Sequence, residues 1–234
     1  MVIRGDKLFF SISLCAALAF VLSGCGKSEK TQGTASGTTE TRVSVKTGLP
    51  PGADPNQPRV LTFAEFASIP EPPGVTKNDP RYEKQRIPAF PNPLGVKEGD
   101  VVKVRGYLQV VTLMGDGDYN FHFTATASSP DRYAVVEIPD DDDVADKKLR
   151  PLVESARDAL KRQALSGKDP ARTPGSTISP ALYVEITGQL FFSDNHVGDQ
   201  PNPDRQGFYR ATNWQIHPGL MISFPAPPAA PPAR

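Results

Sequence analysis

The segment Val101–Ala125, VVKVRGYLQVVTLMGDGDYNFHFTA, contains two stretches in which apolar and polar residues alternate. Alternation with a period of two is typical of strands that bury one face, so each stretch predicts a β-strand. The turn GDGD lies between them, and its Gly117 is suited to the positive φ angle of a hairpin turn. Gly106 predicts a bulge or a bend in the first strand. The whole segment therefore predicts a β-hairpin.

Three more strand patterns and one helical pattern follow this hairpin. The strand patterns are RYAVVEIP (132–139), ALYVEITGQLFF (181–192) and ATNWQIHPGLMISF (211–224), the last broken at Pro218 and Gly219. The helical pattern is RPLVESARDALKRQALSG (150–167), with Pro151 near its start and Gly167 as its stop. Five strands with a helix between the third and fourth is the element order of an OB-type barrel. We therefore predict a mainly β domain over residues 96–224, a five-stranded OB-type barrel with one inserted helix.

The segments that flank this domain differ from it in composition. Residues 25–58 are rich in Thr, Ser, Gly and Pro, which predicts a flexible tether. Residues 59–95 are proline-rich and predict an extended segment with one short helix, because Thr62 and Glu65 have capping-box spacing. The tail PAPPAAPPAR, residues 225–234, has a polyproline composition, and we expect it to be disordered.

The N-terminus has the organisation of a signal peptide. A basic start is followed by an apolar run over residues 8–22, shorter than the roughly 20 residues of a membrane-spanning helix. The sequence LSGC that ends this run resembles a bacterial lipobox. The resemblance implies that residues 1–24 are removed and that Cys25 carries acyl chains, which bind the protein to a membrane. An ordinary secretory signal that contains a cysteine is the alternative.

The residue after the lipidated cysteine bears on the location of the protein. Gly26 stands where an aspartate would resemble a signal for retention in the inner membrane. We therefore expect a lipid-anchored protein of the bacterial cell envelope, in the outer membrane and facing the periplasm or the exterior. The expected partners are the membrane, through the N-terminal lipid, and an envelope ligand.

Charge and cysteine content argue against two further classes of function. The chain has 26 basic and 26 acidic side chains, so it lacks the strong positive charge of a general nucleic-acid-binding protein. The net charge does not rule out a local basic patch, but a nucleic acid is not the favoured partner. The second cysteine, Cys15, lies in the apolar run, so loss of residues 1–24 would leave no disulfide and no cysteine-rich zinc site.

Two motifs, GDY and DRYAVVEIPDD, have an order and spacing that resemble the thermonuclease (staphylococcal nuclease-like) family, whose members have an OB fold. The resemblance covers about residues 100–195. It implies a calcium-dependent nuclease or phosphodiesterase in which Asp118 and Glu137 bind Ca²⁺. It further implies that Asp140 is the catalytic carboxylate and that Arg132 contacts the phosphate.

One part of the family pattern differs in this chain. The second arginine of the family would fall near Gln189 in ITGQL, a segment without arginine. Loss of that charge removes a large electrostatic stabilisation of a phosphate transition state. The favoured function is therefore a membrane-anchored extracytoplasmic lipoprotein whose domain binds a ligand or an envelope partner without catalysis. The calcium-dependent nuclease is the alternative, and the chain also resembles uncharacterised bacterial OB-like proteins.

The remaining candidates for metal ligands are the three histidines, because a neutral imidazole binds metal ions. His196, in the polar loop SDNHVGDQPNPDRQG, is the best of them. His122 and His217 lie in strand patterns, and we expect His217 to be structural. Two acidic features also have simpler interpretations. Asp116 is interpreted as part of a turn. The acidic run 140–143 is interpreted as a solvated segment before the helix, where its negative charges interact favourably with the helix dipole.

Overall fold

The structure is a computed structural model that describes residues 42–128, 130–200, 202–204 and 207–229. The predicted signal peptide, Cys25 and the tether up to residue 41 lie outside the described residues. Residues 225–229 of the predicted tail are exposed and belong to no helix or strand, and residues 230–234 lie outside the described part. Within the described residues, no helix has both the length and the apolar character needed to cross a membrane.

The described residues form six strands and three α-helices. The strands are β1 (Arg59–Leu61), β2 (Val101–Leu113), β3 (Tyr119–Thr124), β4 (Arg132–Ile138), β5 (Ser176–Phe192) and β6 (Tyr209–Ser223). The α-helices are α1 (Val43–Lys46), α2 (Phe63–Ala67) and α3 (Arg150–Ala164). Short 3₁₀ helices occur at Pro80–Tyr82, Asp141–Asp143 and Asp194–His196.

Five of these strands form a closed barrel in the order β2, β3, β4, β6, β5, and β5 pairs again with β2. The β4–β6 pair is parallel, and the other barrel pairs are antiparallel. Helix α3 lies in the chain between the third and fourth barrel strands, and β1 adds in parallel to the first part of β2. This is the strand order of an OB fold, so the predicted fold class is confirmed.

The core forms because alternate residues of each strand are apolar. Val102 and Val104 of β2 and Phe121 and Phe123 of β3 are fully buried. Helix α3 adds a buried stripe of Val153, Ala156 and Leu160. Burial of one such large apolar side chain stabilises the fold by about 1.5–3 kcal/mol, so these buried faces are the main source of the stability of the barrel.

The predicted bulge lies elsewhere in β2. The register shifts at Gln109, whose Nε2 donates to Thr124 Oγ1 at 3.0 Å. Gly106 is required for another reason, because a Cβ there would lie 2.6 Å from the carbonyl oxygen of Thr124. The glycine thus permits a close approach of β2 and β3.

The predicted break in the last strand is also wrong. Strand β6 continues through Pro218 and Gly219 to Ser223. The ladder with β5 shifts register on both sides of Gly188, opposite this segment. Proline has no N–H to donate, so an irregular ladder accommodates it without ending the strand.

The part of the predicted tether from residue 42 to 58 includes residues packed on the barrel. Arg42 is 2% exposed, and its Nη2 lies 2.6 Å from Glu98 Oε2. Arg42 Nη1 also donates to the carbonyl oxygen of Phe192 at 2.7 Å, and Val45 is buried. The sequence did not indicate this contact because a buried arginine contributes nothing to a hydrophobic pattern.

Candidate functional site

Asp118, Glu137 and His217 lie together at one end of the barrel, and we call them the acid–histidine triad. Asp118 directly precedes β3, Glu137 lies near the end of β4, and His217 lies in β6. One ligand-type atom from each residue lies within 4.8 Å of the others. The pairing of β4 with both β3 and β6 places the three residues on neighbouring strands.

The imidazole of His217 is the centre of this triad. Its Nδ1 lies 2.9 Å from Glu137 Oε2, and its Nε2 lies 3.7 Å from Asp118 Oδ2. Within the described ranges of the chain, neither nitrogen makes a hydrogen bond of regular geometry, although the His217 side chain is fully buried. The side chains of Asp118 and Glu137 are 7% and 15% exposed. The triad therefore combines two nearly buried carboxylates with an imidazole that lacks a well-directed partner.

The GDGD turn holds Asp118 in place. Met114 N donates to the carbonyl oxygen of Asp118 at 2.9 Å, and Asp118 N donates to Asp116 Oδ1 at 3.1 Å. Gly117 has a φ of 101°, a backbone conformation that residues other than glycine rarely adopt. Asp116 therefore has the turn role that the sequence predicts, and Asp118 faces the triad.

The two carboxylates titrate differently. Burial raises the pKa of Asp118 to about 7, and the charges of Asp116 and Glu137 contribute to this increase while His217 opposes it. Burial would also raise the pKa of Glu137, but the charge and contact of His217, the charge of Lys46 and the amide of Asn120 lower it to about 2. Glu137 is therefore ionised at neutral pH, whereas Asp118 exchanges a proton near neutrality.

Asp140, the predicted catalytic carboxylate, faces the triad with its backbone. Its N–H donates to Asp118 Oδ1 at 2.8 Å. Its own carboxylate accepts from Asp142 N at 3.2 Å and caps the 3₁₀ helix there. The space beside it is narrow, because a Cβ on Gly117 would collide with the Asp140 carboxylate.

Arg132, the predicted phosphate contact, lies away from the triad. It is exposed at the start of β4 and pairs in register with Tyr209. Glu137 follows five residues later, about 16 Å along the strand at the usual rise per residue. The structure thus brings Asp118 and Glu137 together and leaves Arg132 outside their site.

Two side chains near the triad carry no signal in the sequence motifs. Arg157 of α3 donates from Nη1 to the carbonyl oxygens of Gly117 at 3.1 Å and Pro139 at 2.9 Å. Its guanidinium also lies 3.7 Å above the ring of Tyr119. Gln189, where the family arginine would fall, is fully buried, and its Nε2 donates to the carbonyl oxygen of His217 at 2.8 Å.

A separate polar pocket of about 690 Å³ lies where β4 and β6 begin, beside the loop after β5. Its polar lining residues are Glu71, Tyr133, His196, Asp199, Gln200, Asn202, Asp204, Arg210, Thr212 and Asn213. His196, the predicted metal ligand, therefore lines this pocket and does not belong to the triad. Its Nδ1 lies 3.2 Å from Asp199 Oδ2.

The positive group of the pocket lining is Arg210. Its Nη1 is buried and has no hydrogen-bond partner among the described residues. Burial lowers the pKa of His196 and of His122, and the charge of Arg210 lowers both further, whereas Asp199 and Asp204 oppose the shifts. Both imidazoles are consequently neutral at neutral pH.

His217 is the member of the triad that sequence reasoning did not place beside the two acids. A single strand pattern shows which face of the strand a residue occupies, but it does not show what lies opposite. In the sequence, His217 is marked only by its place beside Pro218 in WQIHP, and this pattern does not indicate metal binding unless the neighbouring strands are known.

Comparisons of the chain with protein-family models, with curated proteins and with solved structures find no match.

Proposed function

We propose that this protein is a membrane-anchored extracytoplasmic lipoprotein whose OB-like barrel binds a polar ligand of the cell envelope without catalysis. The observation that supports this function is the buried Nη1 of Arg210, which has no hydrogen-bond partner in the described part of the chain and lies beside a pocket of about 690 Å³. Pockets of about 300–1,000 Å³ are typical of small-molecule sites. A buried cationic donor without an acceptor costs free energy, and a ligand oxygen would supply the missing hydrogen bond.

The pocket lining suggests the class of ligand. Amide groups of Gln200, Asn202 and Asn213 and carboxylates of Glu71 and Asp199 provide both donors and acceptors. Such a mixture complements hydroxyl, amide and carboxylate groups on one molecule. Peptidoglycan fragments carry all three and occur in the compartment expected for a bacterial lipoprotein.

Binding to isolated peptidoglycan sacculi tests this proposal. The wild-type protein should sediment with sacculi, and Arg210→Gln should bind at least tenfold more weakly because it loses the charged donor. Arg162→Gln is the matched control, because Arg162 is exposed on α3 and does not line the pocket. Equal binding of the Arg210 and Arg162 variants, or no binding by the wild type, would contradict the proposed ligand.

The membrane anchor is tested separately at Cys25. The LSGC motif supports lipidation there, so Cys25→Ser should abolish incorporation of labelled palmitate and move the protein from the membrane fraction to the soluble fraction. Fractionation of an envelope with two membranes then tests the expected outer-membrane location. Palmitate labelling that persists in Cys25→Ser would rule out this anchor.

A calcium-dependent nuclease or phosphodiesterase is the second candidate, supported by the convergence of Asp118 and Glu137. In that function the two acids would hold Ca²⁺ and Asp140 would be the catalytic carboxylate, whereas Arg132, the phosphate contact that the resemblance implies, lies outside their site. The test is cleavage of single-stranded DNA and RNA with and without Ca²⁺. Calcium-dependent cleavage that Asp118→Asn abolishes would favour this candidate, and absence of cleavage would eliminate it.

A further inference from the structure

The acid–histidine triad is not used by the proposed ligand pocket. Its three residues contribute two carboxylates and an imidazole at one end of the barrel. We propose that Asp118, Glu137 and His217 bind a divalent transition-metal ion, for which Zn²⁺ is the probe. The site would be a metal centre separate from the polar pocket.

The distances within the triad fit one small ion. Zinc bonds to imidazole nitrogen and carboxylate oxygen are about 2.0–2.2 Å long, so two ligands of one tetrahedral ion lie roughly 3.3–3.6 Å apart. Only one nitrogen of an imidazole can bind a given ion, and one nitrogen of His217 and one oxygen of each carboxylate lie within 4.8 Å of one another, close to this spacing. Small side-chain rotations would bring one atom of each residue to a common ion.

The state of His217 is an independent indication of a ligand. Its side chain is fully buried; its Nδ1 approaches Glu137 Oε2 at 2.9 Å without regular hydrogen-bond geometry, and its Nε2 has no hydrogen-bond partner among the described residues. Buried polar atoms in proteins almost always have such a partner, because burial without one is costly. A metal ion would coordinate one nitrogen and remove that cost.

The residues around the triad hold its members in place. Asn120 Nδ2 donates to Glu137 Oε1 at 2.8 Å, and the N–H of Asp140 donates to Asp118 Oδ1 at 2.8 Å. Gln189 Nε2 donates to the backbone carbonyl of His217, also at 2.8 Å. Metal ligands are commonly fixed by outer hydrogen bonds of this kind, which orient the ligand atoms before the ion arrives.

The charges of the site also favour a cation. A metal ion binds carboxylates and imidazole in their deprotonated forms, and in that form the triad would carry two negative charges in a nearly buried space, which a divalent ion balances. The neighbouring cations are Lys46, whose charge acts on Glu137, and Arg157, which is bound to the carbonyl oxygens of Gly117 and Pro139. Arg157 is thus directed at the backbone rather than at the carboxylates.

The imidazole determines which ions should bind. Calcium takes six to eight oxygen ligands, whereas imidazole suits zinc and related transition metals. The triad therefore predicts a preference for Zn²⁺ over Ca²⁺, opposite to the calcium expected from the family resemblance.

Calorimetric titration of the full-length protein, freed of metal by chelation, tests the site. We expect one Zn²⁺ per chain, bound at least 100-fold more tightly than Ca²⁺. Co²⁺ should give visible absorption bands that change when His217 is replaced, since these bands report the ligands of the ion. No saturable Zn²⁺ binding, or Ca²⁺ binding as tight as that of Zn²⁺, would overturn the proposal.

Single substitutions then assign the ligands. His217→Gln and Asp118→Asn should each weaken Zn²⁺ binding at least tenfold. Glu185→Gln is the control, because Glu185 pairs with Lys103 and Arg105 on another part of the barrel. If His217→Gln does not fold, Glu137→Gln decides the matter by the same tenfold criterion, and wild-type affinity in that variant would contradict the site.

Discussion

Gln189 is a polar side chain with a structural role in the interior of the protein. Its Nε2 donates to the carbonyl oxygens of Val45 and His217, and its Oε1 accepts from Arg86 Nη2 at 2.7 Å. An arginine at this position is what the nuclease resemblance expects. The buried amide instead connects helix α1, strand β6 and the proline-rich segment, which explains why a polar residue lies in the interior here.

At the same scale, His122 predicts a pH-dependent part of the stability. Burial lowers the pKa of His122, and Arg210 adds to this effect, while Asp204 opposes it; the ring also stacks on Tyr133. Because the folded pKa lies below the unfolded value of about 6.5, the unfolded chain binds the proton first as the pH falls. This contribution to stability is complete above about pH 6.5 and is lost as the pH falls towards the folded pKa.

Urea denaturation between pH 8 and pH 5 measures this effect. We expect the free energy of unfolding of His122→Gln to decrease less than that of the wild type over this range. Lys84→Gln, at an exposed position that leaves the imidazole intact, should keep the wild-type dependence. An unchanged pH dependence in His122→Gln would show that this imidazole makes no such contribution.

At the scale of elements, periodicity and capping residues identified the strands and helices, and close contacts fixed their irregularities. Helix α3 begins with Pro151 in its first turn and ends before Gly167, which has a φ of 80°, as the sequence predicts. The capping box of Thr62 and Glu65 at α2 is also confirmed. The bulge of β2 lies at Gln109 and not at Gly106, where glycine is required by the close approach of Thr124, an approach that only the partner strand reveals.

Gly188 gives a prediction for the pairing of β5 with β6. A Cβ at this position would collide with the carbonyl oxygen of Pro218 and with Ile216 Cγ2. Gly188→Ala should therefore destabilise the protein by about 1–3 kcal/mol, the usual cost of overpacking. The free energy of urea unfolding measures it.

The control for this substitution is Gly115→Ala. Apart from Gly115 itself and its two chain neighbours, the described residues have no atom within 4 Å of the place that a Cβ on Gly115 would occupy. Its stability should stay within about 0.5 kcal/mol of the wild type, as is usual for surface substitutions. Wild-type stability in both alanine variants would show that a Cβ at position 188 does not destabilise the pairing of β5 with β6.

At the scale of the whole molecule, residues far apart in sequence complete the barrel and its sites. Arg42 contributes to a buried network in which Glu98 Oε1 accepts from Phe192 N at 3.0 Å and Glu98 Oε2 accepts from Ile87 N at 2.6 Å. This network joins the segment before β1, the proline-rich segment and the end of β5. The folded unit therefore extends further towards the N-terminus than the barrel.

This extension predicts the effect of truncation. A chain that begins at residue 50 lacks Arg42 and Val45, whereas one that begins at residue 42 keeps both. Loss of one partner from a buried ion pair costs about 3–5 kcal/mol, and loss of a buried valine about 1.5–3 kcal/mol. The shorter chain should therefore unfold at a clearly lower temperature, and equal melting temperatures in a thermal scan would contradict the packing of this segment.

The sequence by itself determined the element order and the class of fold, because these depend on local periodicity along the chain. Tertiary structure alone decided that His217 joins the two acids, that His196 belongs to a separate pocket and that Arg42 is buried. Each of these follows from which strands become neighbours when the barrel closes. Local patterns cannot specify that, since they show which way a residue faces but not what it meets.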